Sequence, residues 1–593
     1  MILFAIVALL VVFFVARSNP RPGAKLYHGG PILTMDAGNR IAEAVGVENG
    51  RIAAVGTRAE VQAWADVAHP EVVDLEGRAL LPGFIDAHGH FPGAGLTAVF
   101  VDLNSPPISG VEDIDGLVAK LAERAESTPK AEWIVGIGYD DTLLADKRHP
   151  TRRDLDRAST EHPIGILHVS GHLGVLNSAG LAASAIDAST PDPEGGLIRR
   201  ESGSREPNGV LEEMAMEPLQ NQLQPSGLDG LRILDRAGDL YLKNGVTTAQ
   251  SGATTAGLIQ FFDWAAWLGL IPLRLIVWPV PEAADAIAAG EIDAPTWDLL
   301  RIRIGAVKLI ADGSIQGYTG YLSEPYFVPP GDDPSYRGYP RIARADLIEQ
   351  VGRLHAAGLQ LAVHGNGDAS IDDILAAYER AQRDHPRRDS RHIIIHAQMT
   401  RPDQLDRMAE LAIVPSFFSL HTFYWGDRHR NVFMGPERAA RISPAASALE
   451  RGLRFTIHAD SPVVPIEPLR LVWAATNRRT RSGFTLGPDE RITPMQALRA
   501  VTIDAAWQHF EESVKGSIEI GKLADLVILS RSPLEDPTRI DAIEVVETII
   551  GGETMYRRAP AESSSPWTPE PSHDNASGAA QIDLDGSRRR TVQ

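Results

Sequence analysis

Apolar runs of strand length recur along the chain and are separated by stretches long enough to form helices. Between residues 79 and 460, eight such runs are followed by helical stretches. Strands that alternate with helices favour a parallel sheet, and eight such units are typical of a (β/α)8, or TIM-like, barrel in the α/β class. The eight candidate strands are Ala79–His90, Val246–Ser251, Leu273–Trp278, Ile304–Asp312, Leu359–His364, His392–Ala397, Ala412–Ser419 and Arg454–Asp460.

The spacing of these candidate strands predicts one long insertion. The gap between the first two is far longer than an ordinary βα connection, so residues 91–235 are predicted to hold an inserted subdomain. The barrel with its insertion is predicted to span residues 81–510. Short alternating strands in residues 24–80 precede it, and further strand-like runs follow in residues 511–558. Strands this short need a partner sheet.

The two ends of the chain differ in composition from the rest. Residues 1–16 are unbroken apolar sequence (MILFAIVALLVVFFVA), and Arg17 follows. As a helix they would span about 24 Å, short of the roughly 30 Å hydrocarbon core. Residues 1–18 are therefore predicted to be a signal or short membrane anchor of an anchored or exported protein, with a buried terminal helix as the alternative. Residues 559–593, rich in Ser, Pro, Gly and Arg, are predicted to be disordered.

Composition narrows the classes of partner and of chemistry. The formal net charge of -20 argues against nucleic-acid binding, which requires a basic surface. The chain contains no cysteine, which excludes disulfides, thiolate metal ligands and a cysteine nucleophile. Any metal must then be bound by nitrogen and oxygen atoms. Membrane association through residues 1–16 and a homo-oligomer are both compatible with the sequence.

The first candidate strand ends in the sequence LPGFIDAHGH, which carries the clearest chemical signal. Residues two apart on a strand share one face, so His88 and His90 are predicted to point the same way and to bind one cation. The alternative is that both histidines lie in a loop without a ligand. Downstream, Lys308, His364 and His396 lie within or at the ends of later candidate strands, where barrel active sites are built.

Pro82, Gly83 and Asp86 extend the histidine pair into a pattern that resembles the PGxxDxHxH signature of the amidohydrolase superfamily. Two segments of the predicted insertion, residues 192–196 (DPEGG) and 207–211 (PNGVL), resemble the amidohydrolase 3 branch, which includes N-substituted formamide deformylases. Residues 516–529 resemble the closing segment KGSIxxGKxADLVIL of the superfamily. That resemblance implies a composite β-sandwich built from residues 24–80 and 511–558, and the likeness as a whole covers about residues 25–558.

The resemblance also implies a set of metal ligands and a modified lysine. His88, His90 and Asp460 would bind one divalent ion, and His364 and His396 a second. Lys308 would be carboxylated by CO2 and would bridge the two ions; its alternative role is a salt bridge to Asp312. Nitrogen and oxygen ligands suit zinc without excluding manganese, iron or cobalt.

The substrate pocket is less well defined by the sequence. Tyr139, His172, Tyr318 and His421 are predicted to contact the substrate, and the alternative is that they pack the insertion against the barrel. Aromatic residues after the seventh candidate strand suggest an apolar group on the substrate. The family pattern has Ala-Ile between the histidine of strand 5 and Gly-Asp, whereas Gly365 and Asn366 stand there in this chain.

The function that the resemblance implies is hydrolysis of a non-peptide C–N bond in a small amide, formamide or imide by metal-activated water. Asp460 would accept the proton of the water and return it to the leaving amine. Lactone or ester hydrolysis and isomerisation at the same site are alternatives, because one scaffold hosts many chemistries. A non-catalytic, membrane-tethered binding protein is a further alternative from a different class.

Overall fold

The computed structural model describes residues 23–223, 227–292 and 301–559. The predicted signal or anchor at residues 1–18 lies outside these residues, as do residues 560–593 of the predicted tail, so both remain predictions. Within the described part of the chain, no helix combines the length and the apolar character needed to cross a membrane.

Twenty-three strands and eighteen α-helices are formed by the described residues. The strands are β1 (Lys25–Leu33), β2 (Ile41–Glu48), β3 (Arg51–Gly56), β4 (Glu71–Asp74), β5 (Ala79–Pro82), β6 (Phe84–Ile85), β7 (Val101–Asp102), β8 (Ile134–Tyr139), β9 (Ile164–His168), β10 (Leu173–Leu176), β11 (Gly196–Arg200), β12 (Pro207–Glu213), β13 (Val246–Thr254), β14 (Arg274–Pro279), β15 (Ile302–Ile304), β16 (Val307–Ile310), β17 (Leu361–Gly365), β18 (Ile393–His396), β19 (Val414–Phe417), β20 (Thr456–Ile457), β21 (Leu526–Leu529), β22 (Val545–Ile550) and β23 (Glu553–Arg557). The α-helices are Arg58–Ala68, Ile114–Ser127, Arg152–Asp156, Ser178–Ala183, Glu217–Gln222, Gly227–Lys243, Ala256–Trp267, Pro281–Ala288, Arg344–Ala356, Asp368–Asp384, Pro402–Leu411, His421–Tyr424, Gly426–Arg428, Gly435–Ala440, Ala445–Glu450, Pro468–Asn477, Pro494–Ala500 and Ile503–Gln508.

Both ends of the described chain contribute to one eight-stranded sheet. Its order is β23-β22-β21-β5-β1-β2-β3, and β4 pairs in parallel with β1. The central seam is antiparallel, with Leu526 of β21 opposite Pro82 of β5. The two ends therefore fold together, and the finer prediction that they form a sandwich stays a prediction. A second sheet, of six strands in the order β11-β12-β10-β9-β8-β7, lies within the range predicted for the insertion.

The eight candidate barrel strands form two parallel arcs. One arc has the order β15-β14-β13-β6 and the other has the order β16-β17-β18-β19-β20. Strand pairing does not close them into a ring within the described residues. Beyond β6 and β20, the end strands of the two arcs, backbone hydrogen bonds join the two segments that follow these strands. Asp460 N–H donates to His88 O at 3.2 Å, and His90 N–H donates to Ser461 O at 2.7 Å.

The first candidate strand, predicted as continuous over residues 79–90, is wrong in its extent. It divides at Gly83, whose N–H donates to Asp525 O, while the N–H of Phe84 donates to Gly245 O. Residues before Gly83 thus pair with the sheet of the chain ends, and residues after it pair with β13 of the first arc. A Cβ at Gly83 would lie 2.2 Å from Thr247 Cγ2, so the crossing requires glycine.

The strands of the second arc are buried except at Ile310, the last residue of β16, which explains their largely apolar sequences. All residues of β17 and β18 are buried. Helix Asp368–Asp384 covers this arc with a buried stripe at helical spacing, including Ile371, Ile374 and Tyr378. Polar side chains at the ends of such strands are the exception, and these positions form the site described next.

Candidate metal centre

The structure brings together all six side chains that the sequence proposes as metal ligands. Lys308 Nζ lies 3.0 Å from His88 Nε2, and His88 Nε2 lies 3.2 Å from Asp460 Oδ1. His90 Nε2 approaches the same carboxylate oxygen at 3.3 Å. These side chains come from elements more than 350 residues apart, because the ends of parallel strands meet at one edge.

The second oxygen of Asp460 faces the other two histidines. His396 Nε2 lies 3.8 Å from Asp460 Oδ2, and the ring centroids of His396 and His364 are 4.5 Å apart. One ligand atom each of His88, His396 and Asp460 lies within 4.8 Å of the other two, a spacing that could hold a metal ion. The carboxylate therefore stands between the two histidine pairs.

The alternation of side chains along a strand predicted that His88 and His90 lie on one strand, and this prediction is wrong. Both follow β6 in a loop, and they converge because the loop returns to β13 rather than because residues two apart share a face. Gln250 Oε1 accepts the N–H of Gly89 at 2.9 Å and lies 3.0 Å from His88 Nδ1. His90 Nδ1 is 3.0 Å from the Gly252 carbonyl oxygen.

These hydrogen bonds set the proton positions on both rings. A carbonyl oxygen accepts the Nδ1–H of each histidine, so Nε2 is the ring nitrogen that faces Asp460. Burial lowers the pKa of His88 well below its ordinary value, and a positive charge on Lys308 would lower it further. The two Nε2 atoms converge on one carboxylate oxygen, at 3.2 and 3.3 Å, as the ligands of one metal ion do. The donor set thus fits a divalent metal held by nitrogen and oxygen.

The environment of Lys308 favours a neutral amine. Burial lowers its pKa to about 7, and the attraction of Asp460 offsets part of that shift. No ion pair joins Lys308 to Asp312 in the described structure. Asp312 instead accepts backbone N–H groups of Asn366, Gly367 and Tyr321, and its Oδ1 lies 3.3 Å from His364 Nδ1. The salt-bridge alternative for Lys308 is therefore wrong.

Asp460 remains ionised in this setting. Burial alone would raise its pKa, but the contacts with His88 and His90 outweigh that effect and lower the pKa well below its ordinary value. The ionised carboxylate can bind a cation or accept a proton.

A cavity adjoins the six residues and contains two of the four predicted substrate contacts, His172 and His421. The side chains lining it are Ser170, His172, Ser314, Gln316, His364, Asn366, His396, Phe418, His421, Asp460 and Val463. The His172 ring lies 5.3 Å from the His364 ring, and His172 Nδ1 donates to Glu213 Oε2 at 3.0 Å. The His421 ring lies 6.1 Å from the His396 ring.

The other two predicted contacts do not line this cavity. Tyr139 is buried in the insertion, where its hydroxyl lies 3.2 Å from His149 Nδ1. Tyr318 packs against Tyr326 and Phe433, with ring centroids 4.9 and 5.1 Å away. Their positions agree with the packing alternative.

Several residues that position the ligands were not predicted. Gln250 Oε1 lies 3.0 Å from His88 Nδ1, Asp312 Oδ1 lies 3.3 Å from His364 Nδ1, and Trp278 stacks on His88 with ring centroids 5.3 Å apart. A polar residue near the end of an otherwise apolar strand was the available signal for Gln250 and Asp312. For Trp278 the sequence offers no such signal.

Comparison with known proteins indicates the same family as the sequence resemblance. The family model described as the amidohydrolase family matches residues 71–556. The N-substituted formamide deformylase of Arthrobacter pascens is 31% identical over 543 residues, covering 89% of this chain and 97% of that protein. Amidohydrolase YtcJ of Bacillus subtilis (strain 168) is 28% identical over 559 residues, covering 90% and 99%.

Solved structures support the fold. An uncharacterized metal-dependent hydrolase from Pyrococcus horikoshii OT3 has a TM-score of 0.69 at 24% identity, covering 87% of this chain and 99% of that chain. One from Pyrococcus furiosus has a TM-score of 0.66 at 25% identity, covering 86% and 100%. These likenesses indicate a TIM-barrel-like α/β fold. The chain therefore belongs to the amidohydrolase family, which makes it a metal-dependent hydrolase of carbon–nitrogen bonds other than peptide bonds.

Proposed function

We propose that the chain hydrolyses the C–N bond of a small N-substituted amide at a centre that holds two divalent metal ions, most simply zinc. The observation that carries this proposal is the convergence of the Nε2 atoms of His88 and His90 on one carboxylate oxygen of Asp460, at 3.2 and 3.3 Å. A bound cation would convert these contacts into coordination.

The division of ligands follows the two oxygens of the carboxylate. His88 and His90 face Oδ1 of Asp460, and His396 faces Oδ2 with His364 beside it. This arrangement supports one ion on each side. Divalent metal, when bound, supplies Lewis acidity and lowers the pKa of water toward neutrality.

Lys308 is proposed to bridge the two sides as a carbamate. The neutral amine adds to CO2, forming an N–C bond, and releases one proton, so that a buried neutral group becomes an anion. A pKa of about 7 leaves a large neutral fraction at physiological pH. The nearest ligand atom, His88 Nε2, is 3.0 Å from Nζ, and a bridging oxygen would extend beyond it.

Asp460 is proposed to carry the proton. It takes the proton from the attacking water and returns it to the leaving nitrogen, so that an amine departs rather than an amide anion. The rings of His88 and His90, whose orientations are fixed by Gln250 and Gly252, flank its carboxylate. The 31% identical formamide deformylase makes N-substituted formamides the first substrate class to test.

The test is release of primary amine from a series of N-alkyl formamides and acetamides by metal-loaded protein. Asp460→Asn and Lys308→Ala are expected to lower kcat about 10³-fold while the circular dichroism spectrum stays unchanged. His396→Gln should lower it as well, whereas His392→Gln, at the opposite end of the same strand, serves as a matched control. Full activity of the Asp460→Asn protein would refute the proposed proton transfer. Absence of amine release from every substrate would favour a binding protein.

A further inference from the structure

The wall of the cavity next to His364 presents hydrogen-bond acceptors that have no partner. Asn366 is 3% exposed, and its Nδ2–H donates to the carbonyl oxygen of Gly313 at 2.9 Å. That bond fixes the orientation of the amide, because a carbonyl oxygen accepts only from the nitrogen end. Asn366 Oδ1 is consequently left buried and unpartnered within the described structure.

Gln316 adds a second carboxamide to this wall. Its side chain is 4% exposed and lines the same cavity. Its Oε1 is buried, and no hydrogen bond satisfies it in the part of the chain that the structure describes. A buried acceptor that receives no hydrogen bond destabilises the protein unless water or a ligand donates to it.

Ser170 contributes a third acceptor from the inserted subdomain. His168 Nδ1 accepts the backbone N–H of Ser170 at 3.1 Å, so this nitrogen carries no proton. The Ser170 hydroxyl lies 2.8 Å from the same nitrogen and must donate its hydrogen there. His168 Nε2 in turn faces Asp141 Oδ1 at 3.1 Å, which fixes the ring. Ser170 Oγ, which accepts the N–H of His172 at 3.2 Å, keeps a lone pair available beside the cavity.

We infer that Asn366, Gln316 and Ser170 form a polar subsite that selects substrates whose substituent carries a hydrogen-bond donor, such as a hydroxyl or a primary amide. This inference rests on the proposed hydrolase function and names its substrate class. An apolar substituent would leave the acceptors of Asn366 and Gln316 unpaired, and sites built to hydrogen-bond a substrate group discriminate strongly against analogues that lack it.

The subsite also gives a role to the departure from the family pattern. Where that pattern has Ala-Ile, this chain has Gly365 and Asn366, and the second of these exposes a carboxamide to the cavity. Phe418 and Val463 line the cavity as well. The substituent that fits is therefore amphipathic, with a hydrogen-bond donor in addition to the apolar group that the sequence suggests.

The test compares two substrates of equal size, N-(3-hydroxypropyl)formamide and N-butylformamide, which differ only in a terminal hydroxyl or methyl group. The metal-loaded protein is expected to hydrolyse the hydroxyl compound with a kcat/KM at least about tenfold higher. Asn366→Leu and Gln316→Leu should bring the ratio close to one. Gln316→Glu, which keeps an acceptor oxygen, should retain a preference for the hydroxyl compound, and metal content checks that the ligands are intact in each variant.

Equal kcat/KM values for the two compounds, or a preference for the methyl compound, would overturn the subsite and leave the hydrolase proposal standing. If neither compound is hydrolysed, calorimetric binding to the metal-loaded wild-type protein decides the point. Tighter binding of the hydroxyl compound by about tenfold would support the subsite even then, and equal binding would refute it. If neither compound is hydrolysed but the hydroxyl compound still binds more tightly, the result counts against the proposed function and not against the subsite.

Discussion

At the scale of single residues, the proposed ligands His88 and His90 lie against Gly252, which leaves no room for a methyl group. A Cβ at Gly252 would lie 2.7 Å from His88 Cε1 and 3.0 Å from the carbonyl oxygen of Gly89. The carbonyl oxygen of Gly252 also accepts the Nδ1–H of His90. This glycine therefore controls the position of both histidines without being a ligand.

We predict that Gly252→Ala lowers metal affinity about 10- to 100-fold because the added methyl group displaces the His88 ring. Equilibrium dialysis against a competing chelator measures the change. Gly257→Ala is the matched control, since a Cβ there meets no atom within 4 Å and the residue lies in helix Ala256–Trp267. If Gly252→Ala binds metal as tightly as the wild-type protein does, the position of His88 does not depend on the absence of a side chain at residue 252.

At the scale of elements, helix Arg152–Asp156 in the insertion starts with a capping box. Asp154 accepts the backbone N–H and hydroxyl of Thr151, both at 2.8 Å, and a bidentate pair of bonds from Arg148 at 2.7 and 2.9 Å. The Arg148 guanidinium, with help from Thr151 and against the effect of burial, lowers the pKa of Asp154 to about 2.

The sign of the resulting pH dependence follows from this shift. The folded-state pKa lies below the unfolded value of about 3.9, so the ionised carboxylate stabilises the insertion above that pH. The contribution is lost as the pH falls from about 4 toward 2. We predict that Asp154→Asn lowers the local free energy of unfolding by about 1 kcal/mol at pH 7 and by less at pH 3.

Hydrogen exchange of the amides in helix Arg152–Asp156 at both pH values measures this difference. Asp115→Asn is the control, because its ion pair with Arg157 is exposed and contributes little. An equal loss at pH 7 and pH 3 would contradict the assigned pKa shift.

Sequence patterns at this scale predicted the positions of elements better than their ends. The runs at residues 246–251 and 359–364 correspond to β13 and β17. The fourth candidate strand is divided between β15 and β16. Such breaks depend on contacts with distant strands, which a local apolar pattern does not encode.

At the scale of the whole molecule, a buried ion pair joins the barrel to the sheet of the chain ends. Arg274 of β14 donates to both oxygens of Asp525 at 2.6 and 2.9 Å, and both side chains are buried. The N–H of Gly551 donates to the same carboxylate at 2.8 Å. Arg274, Lys515 and the Gly551 N–H keep the pKa of Asp525 low against the effect of burial.

We predict that Arg274→Met lowers the free energy of unfolding by about 3–5 kcal/mol because it leaves the Asp525 carboxylate buried without its guanidinium. Urea unfolding followed by circular dichroism measures the change. Arg353→Met, which removes an exposed pair with Asp285, should change it by less than about 1 kcal/mol. Equal effects of the two substitutions would show that the chain ends do not depend on this pair.

The candidate site was more predictable than the geometry that assembles it. His88, His90, Lys308, His364, His396 and Asp460 each stand in a recognisable pattern, and the structure brings them together. The cavity was less predictable: Tyr139 and Tyr318 pack elsewhere, whereas Gln316 and Ser170 line it. Cavity walls are formed by loops and by the insertion, whose paths depend on long-range packing rather than on strand periodicity.

The central claim is that these six side chains bind two divalent ions. Elemental analysis of protein purified without chelators tests it most directly, with His396→Gln as the site variant and His392→Gln as the control. We predict about two equivalents of metal per chain in the wild-type and control proteins, and a clear loss in His396→Gln. Wild-type protein without bound metal that still hydrolyses its substrate in the presence of a chelator would contradict the account.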